Sequence, residues 1–234
     1  TFDGRDPATG DVPLGWKGRP RPTNIPADYT VFLNPRGLVG TRLGITRQGV
    51  DNSPAPVVAA WESAVEQLND HKIVAWMHGR MEFGARALGN RSILASPMNP
   101  YSTENLNAFI KHREPFRKFA ASVPAELCAE YFDVGSNARY LSTVGHVRPA
   151  HRERFAAATL SGDLIRVHAV TRDDNPLYWK LLDAAGEATG LPVLYNTSFN
   201  LFGEPLVCTP RDAVRSFYSS GIDAMFVGNF FLQK

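Results

Sequence analysis

The chain has 234 residues, 44% hydrophobic and 11% aromatic, enough for a sizeable core and incompatible with a disordered polypeptide. Its two cysteines, Cys128 and Cys208, exclude a disulfide framework and a four-thiolate zinc site, and apolar runs such as Ile73 to Met77 are too short to span a bilayer. The net charge of +2 does not by itself imply nucleic acid. The 19 arginines against 6 lysines reflect either a GC-rich genome or planar guanidinium forks kept for phosphate and carboxylate.

Residues 1–55 carry turn and breaker signals, Asp6-Pro7, Gly15 to Pro22 and Asn52-Ser53-Pro54, with little periodicity between them. They read as an irregular arm packed over a domain surface, or as a linker to another domain. The first residue is Thr1 and no basic-then-apolar leader follows it, so a fragment or processed product with a cytoplasmic location is the default expectation. From Pro56 the pattern becomes regular. Val57, Val58, Trp61, Val65 and Leu68 recur at helical spacing. Ile73 to Met77 and Ile93 to Ala95 read as buried strands, and Leu106, Phe109 and Ile110 as one face of a helix beginning after Tyr101-Ser102. Leu164 to Val170 alternates as a strand, and Pro176 to Thr189 is a helix stopped by Gly190. Pro192 to Tyr195 is a strand, Pro210 to Ser219 a helix stopped by Gly221, and Ala224 to Val227 a closing strand. Strands alternating with helices predict an α/β domain over residues 56–234.

Three segments carry candidate chemistry. Gly79 to Ser92 holds three glycines spaced five apart beside Arg80, Arg86 and Arg91; it is either an anion-approaching loop or a hairpin with solvated arginines, and it is neither a Walker loop nor a dinucleotide fingerprint. Lys111-His112-Arg113-Glu114-Pro115-Phe116-Arg117 leaves a helix end, where cations are favoured by the dipole. Pro115 forces Glu114 out of the helical region, so Lys111 and Arg117 flank a rigid turn and can converge on an anion. From Arg80 to Arg117 five arginines and one lysine face three acids, a local excess of three positive charges. Asn196-Thr197-Ser198-Phe199-Asn200, followed by Gly203-Glu204-Pro205, puts small hydrogen-bonding side chains at the C-terminal end of what reads as a parallel strand, a usual ligand position in open α/β sheets; a capped turn is the plainer reading. Val207-Cys208 reads as core packing and not as a nucleophile, and the six histidines lack a metal-ligand spacing.

These segments, in order over about 160 residues, resemble the C-terminal domain of the O-carbamoyltransferase family of nodulation and antibiotic-biosynthesis enzymes. The resemblance implies a YrdC-like twisted sheet with flanking helices. It also implies an enzyme domain that takes carbamoyl phosphate and ATP, with Mg²⁺ bound to the nucleotide, and makes carbamoyl-adenylate and pyrophosphate. A separate N-terminal sugar-kinase/actin-like domain or subunit would pass the carbamoyl group to a hydroxyl. The family's binding positions fall on Arg86, Lys111, Arg117 and Arg166, and its Ser-x-Asn element on Ser198 and Asn200. Lys111 and Arg117 are then the catalytic pair; Arg86, Arg166, Ser198 and Asn200 hold substrate, and no residue is dedicated to a metal. The sequence departs from the family in having Ala85, Lys118 and Ala121 where proline is usual, and Ser96 where an acid is usual.

Two other readings are a non-catalytic subunit supporting a transferase and a basic RNA-binding module. Nucleic acid is disfavoured because aromatics do not read as interleaved with the basic stretch. Membrane association is not expected.

Overall fold

The computed structural model describes residues 55–234; the arm expected before them lies outside the described residues. Helix α1 (Ala55–Asn69) leads to β1 (Val74–Met77) and β2 (Arg91–Ala95). The short α2 (Ser102–Asn105) runs on as a π-helical turn over Leu106–Lys111, followed by β3 (Ala120–Pro124), α3 (Cys128–Tyr131), β4 (Phe132–Asp133) and β5 (Val144–Val147). Then come α4 (Arg152–Phe155), β6 (Leu164–Val170), α5 (Pro176–Thr189), β7 (Leu194–Ser198), α6 (Pro210–Tyr218), β8 (Ala224–Val227) and β9 (Phe230–Gln233).

The strands form one sheet in the order β4-β5-β6-β3-β7-β2-β1-β8-β9. Only β1 with β8 and β3 with β6 run parallel among the described pairs. The sheet is therefore mixed, and β7 is antiparallel to both its neighbours, β2 and β3. This corrects the premise that Ser198 closes a parallel strand. The end of the sheet where β7 finishes is also where β2 and β3 begin.

Period-two alternation divides the core between the two faces. Ala75, Ile93, Ala121, Val123, Ile165, Val167 and Tyr195 face one way, onto Leu106, Ile110 and Phe217. Val74, Trp76, Leu94, Leu194 and Phe226 face the other, onto Leu68 of α1 and Tyr178, Leu181 and Leu182 of α5. Trp76 and Phe226 are paired across the parallel β1–β8 ladder and stack at 4.5 Å. Helix α5 is capped by the Asn175 side chain and stopped at Gly190 in the left-handed region, as the sequence predicts. Helix α6 starts from a Thr209–Asp212 capping box.

Three local expectations change. The helix through Leu106 buries Leu106 and Ile110 but leaves Phe109 63% exposed. The wider π turn takes the three-residue step off the buried face. The strand expected at Pro192–Tyr195 runs instead from Leu194 to Ser198, carrying Asn196 and Ser198 into the sheet. Val207 is buried but Cys208 is exposed, because the chain turns there to enter α6. Among the described residues no helix is long and apolar enough to cross a membrane.

Candidate functional site

The glycine-rich segment is an anchored loop. Oε1 of Glu82 accepts the backbone N–H groups of Leu88 (2.8 Å), Asn90 (2.8 Å) and Arg91 (3.1 Å), closing the loop on itself. Arg91 is only 4% exposed. Its guanidinium donates to the carbonyls of His78, Gly79 and Asn90 and, through the other terminal nitrogen, to that of Cys208. Arg91 is thus a brace across the loop base, not a free anion ligand; burial, reinforced by the Arg91 charge, holds the His78 imidazole below its ordinary pKa. Arg86 is exposed beyond this brace.

Lys111 lies at the end of the π turn, 6% exposed. Its ammonium donates to the carbonyl of Ser198 (2.6 Å), the carbonyl of Asn200 (2.8 Å) and Oδ1 of Asn200 (3.0 Å), with Ser198 Oγ at 3.5 Å. Ser198 Oγ in turn donates to Asn200 Oδ1 at 2.7 Å, and Asn200 Nδ2 donates to the carbonyl of Glu204 at 2.9 Å. All of these partners are neutral oxygens. Burial, reinforced by the charge of Arg113, lowers the Lys111 pKa to about 7.

The other cations connect to this centre through Arg113. Arg166 donates to the carbonyl of Lys118, and burial together with the Arg86 charge pulls its pKa down. Arg113 feels both Arg117 and Arg166 in the same sense. Arg86 thus acts on Arg166, and Arg113 links Arg166 and Arg117 to Lys111, a chain of repelling neighbours. Arg117 is half-exposed, and among the described residues only its Nε is paired, with Glu114 at 2.9 Å, which leaves its terminal nitrogens for a ligand. Arg113, expected to be a solvated helix-end cation, is half-buried: His112 adopts the left-handed conformation, and Arg113 Nε donates to Asn107 Oδ1 at 2.8 Å with its guanidinium 4.8 Å from the Phe119 ring centroid. The expectation of an isolated surface charge is corrected.

Asn196 is a further buried polar residue at this end of the sheet, in register with Ala120 and through it with Arg166. Its Nδ2 donates to the carbonyl of Ala87 (3.0 Å) and to Ser122 Oγ (3.2 Å), tying the Arg86 loop to the sheet, while its Oδ1 finds no partner among the described residues. The residue stood in the Asn196-Thr197-Ser198 motif, but only the register reveals that it faces the loop. Exposed Phe116 next to Arg117 also shows that aromatic rings do stand among these cations, against the argument used to disfavour a stacking surface.

Among the described residues, the carboxylate recorded as acting on these cations is the exposed Glu114. Among the described residues no three His, Cys, Asp or Glu side chains gather as a metal group. A Mg²⁺ ion arriving with ATP would find its oxygens on the phosphates.

A pH dependence follows from Lys111. With its pKa near 7 it is about half-neutral at that pH, and a phosphate held against it would be expected to restore the charge. Anion affinity is then full below pH 7 and falls about tenfold per unit above it until the complex itself loses the proton. ATP titrated by calorimetry at pH 8 and pH 9, where its phosphates no longer change charge, is expected to bind about tenfold more weakly at the higher pH with proton uptake on binding; pH-independent affinity would contradict it. Stability runs the opposite way: the unfolded chain keeps this proton to higher pH than the folded one, so folding gains as pH rises from about 7 towards 10.5.

Comparison with known proteins places the fold and the family. P. abyssi Sua5, solved in complex with L-threonine, superposes with a TM-score of 0.52 over 79% of this chain and 49% of its own, at 12% identity. It shares the YrdC-like mixed sheet with flanking helices. Nodulation protein NolNO of Sinorhizobium fredii is 38% identical over 174 residues, 73% of this chain and 26% of its own length. The 3'-hydroxymethylcephem-O-carbamoyltransferase of Amycolatopsis lactamdurans is 36% identical over 163 residues, 70% of this chain and 31% of its own. The chain thus spans about a quarter to a third of these relatives. The family model described as Carbamoyltransferase C-terminus matches residues 65–234, and the chain belongs to that family.

Proposed function

We propose that this chain is the carbamoyl-activating part of an ATP-dependent O-carbamoyltransferase. Water cleaves the O–P bond of carbamoyl phosphate to release inorganic phosphate and carbamate. A carbamate oxygen then attacks the α-phosphorus of ATP, the α–β bridging bond breaks, and pyrophosphate leaves as carbamoyl-adenylate forms. A hydroxyl acceptor bound by a separate N-terminal sugar-kinase/actin-like domain receives the carbamoyl group and releases AMP. The observation that carries this reading is Lys111: a buried ammonium held only by neutral oxygens of Ser198 and Asn200, with the Arg113 guanidinium acting on it and Arg117 and Arg166 acting on Arg113.

Such a site is poised for a polyanion. Carbamate and ATP repel one another, and several fixed cations must offset that repulsion before an oxygen can approach phosphorus. The arginine forks suit phosphate oxygens, and Lys111, whose three N–H groups are held by Ser198 and Asn200, would exchange one of those neutral partners for an oxygen that gains charge as the bond to pyrophosphate stretches. Ser198 and Asn200 present a hydroxyl and an amide where a carbamoyl group needs both a donor and an acceptor.

The test is incorporation of labelled pyrophosphate into ATP by the purified chain. Exchange should require both a carbamate source, supplied by carbamoyl phosphate, and Mg²⁺. Exchange indifferent to carbamoyl phosphate points to a different acid substrate; no exchange with ATP binding intact supports the non-catalytic supporting role.

A further inference from the structure

Three loops bring the polar and cationic groups together, and each also exposes a phenylalanine. Phe83 stands three residues before Arg86, Phe116 next to Arg117, and Phe202 two residues after Asn200, with exposures of 107%, 69% and 70%. A single exposed ring is ordinary. One on every site loop is a pattern, and Phe83 has the strongest claim on a ligand.

Its exposure does not come from a loose loop. Glu82, the residue before it, holds three backbone N–H groups, and Arg91 braces the loop base through four carbonyls. Gly84, immediately after it, takes φ +128, a conformation that side chains rarely adopt, and turns the chain towards Ala85 and Arg86. The ring is therefore presented outward from a fixed support, with both faces open. Arg86 acts electrostatically on Arg166, so the same loop reaches the cation cluster. The carbonyl of Ala87, next to Arg86, accepts from Asn196 Nδ2 on β7, the strand that ends at Ser198, so the Phe83 loop is fixed at the edge of the polar cluster.

Resting on the ATP-using reading above, we propose that Phe83 is the base-stacking residue of the nucleotide site, covering the purine ring while Arg86 on the same loop meets the phosphates. The cations bind any polyphosphate; the ring selects one that carries an aromatic base. Stacking of a base on an aromatic side chain is insensitive to base identity, so other nucleoside triphosphates are expected to bind comparably to ATP.

The experiment compares ATP with inorganic tripolyphosphate, the same charge without a base, by calorimetry on the full chain. Phe83→Ala is expected to weaken ATP at least about fivefold and leave tripolyphosphate unchanged, while Phe116→Ala and Phe202→Ala change the ATP affinity less. Phe83→Trp is expected to keep ATP binding and to show indole quenching by ATP, absent with tripolyphosphate and absent from the parent protein. Unchanged ATP affinity in Phe83→Ala, or equal loss of both ligands, overturns the proposal and leaves the ring as a protein-contact residue. A parent chain that binds neither ligand overturns the activating-domain reading itself.

Discussion

Lys111→Ala is expected to remove carbamoyl-phosphate-dependent pyrophosphate exchange by about a hundredfold or more, on the order of 3–4 kcal/mol of transition-state stabilisation. The ammonium sits among the carbonyls of Ser198 and Asn200 and Oδ1 of Asn200, all within 3.0 Å, so the truncation removes the charge and leaves three oxygens without their donor. Lys111→Arg is not expected to rescue, because a planar fork does not fit a three-oxygen cradle built for a compact donor. Arg117→Ala is expected to cost less than Lys111→Ala, since Arg117 is half-exposed and its charge is screened by solvent and partly offset by Glu114. Arg113→Ala, which looks harmless if Arg113 is a solvated helix-end charge, should also impair exchange: it removes the brace to Asn107 and the packing on Phe119. It has a second, separable signature. Arg113 helps to depress the Lys111 pKa, so its removal should move the basic limb of ATP affinity to higher pH. A Lys111→Ala chain with parental exchange rates would end the assignment of Lys111 as a catalytic group.

How much of this was legible in the sequence depends on how strongly each residue constrains its neighbours. The helices α5 and α6 announce themselves through Asn175-Pro176, Gly190 and the Thr209-Asp212 capping box, all local signals. The strands β1, β6 and β8 show as buried runs or alternation. By contrast, β3 reads Ala-Ala-Ser-Val-Pro, with small side chains and a terminal proline, and is a strand because β6 and β7 flank it. Strands β5, with Gly145 and His146 between its valines, and β9, with no buried residue, are similarly weak in isolation. At the site, Lys111, Ser198 and Asn200 were visible through the family motif, but their mutual hydrogen bonds span 87 to 89 positions and needed the fold. Arg113 and Arg91 were misjudged or passed over for one reason: an arginine's partners are backbone carbonyls and amides that leave no mark on composition. The direction of β7 was misread because strand-helix alternation suggests parallel crossovers, whereas β7 slots between β2 and β3.

The second large effect concerns Gly89, at the end of the glycine-rich loop. A Cβ built there would lie 2.2 Å from Cδ1, 2.4 Å from Cγ and 2.8 Å from Cε1 of Tyr178, and the residue holds φ +94. The ring has no easy escape: Tyr178 is fully buried, its backbone N–H is held by the Asn175 side chain in the first turn of α5, and its ring stacks on His168. Backbone strain in that region costs about 1–3 kcal/mol, and overpacking against a fixed aromatic ring costs about 1–3 kcal/mol more, occasionally beyond. Gly89→Ala is therefore expected to destabilise the chain by on the order of 3–5 kcal/mol, which in a domain of this size lowers the melting temperature by roughly 10 °C. Gly84→Ala supplies the contrast, because nothing lies within 4 Å of a Cβ there and only the φ +128 strain is felt. It should lose clearly less. A Gly89→Ala/Tyr178→Ala double variant should show coupling of at least about 1 kcal/mol in the relieving direction, the mark of two residues competing for one space. The displaced loop would carry Arg86 with it, so Gly89→Ala is also expected to weaken ATP binding at temperatures where it is still folded. A Gly89→Ala chain that melts no lower than Gly84→Ala would mean that α5 yields to the loop, and that the loop and not the helix fixes the position of Tyr178.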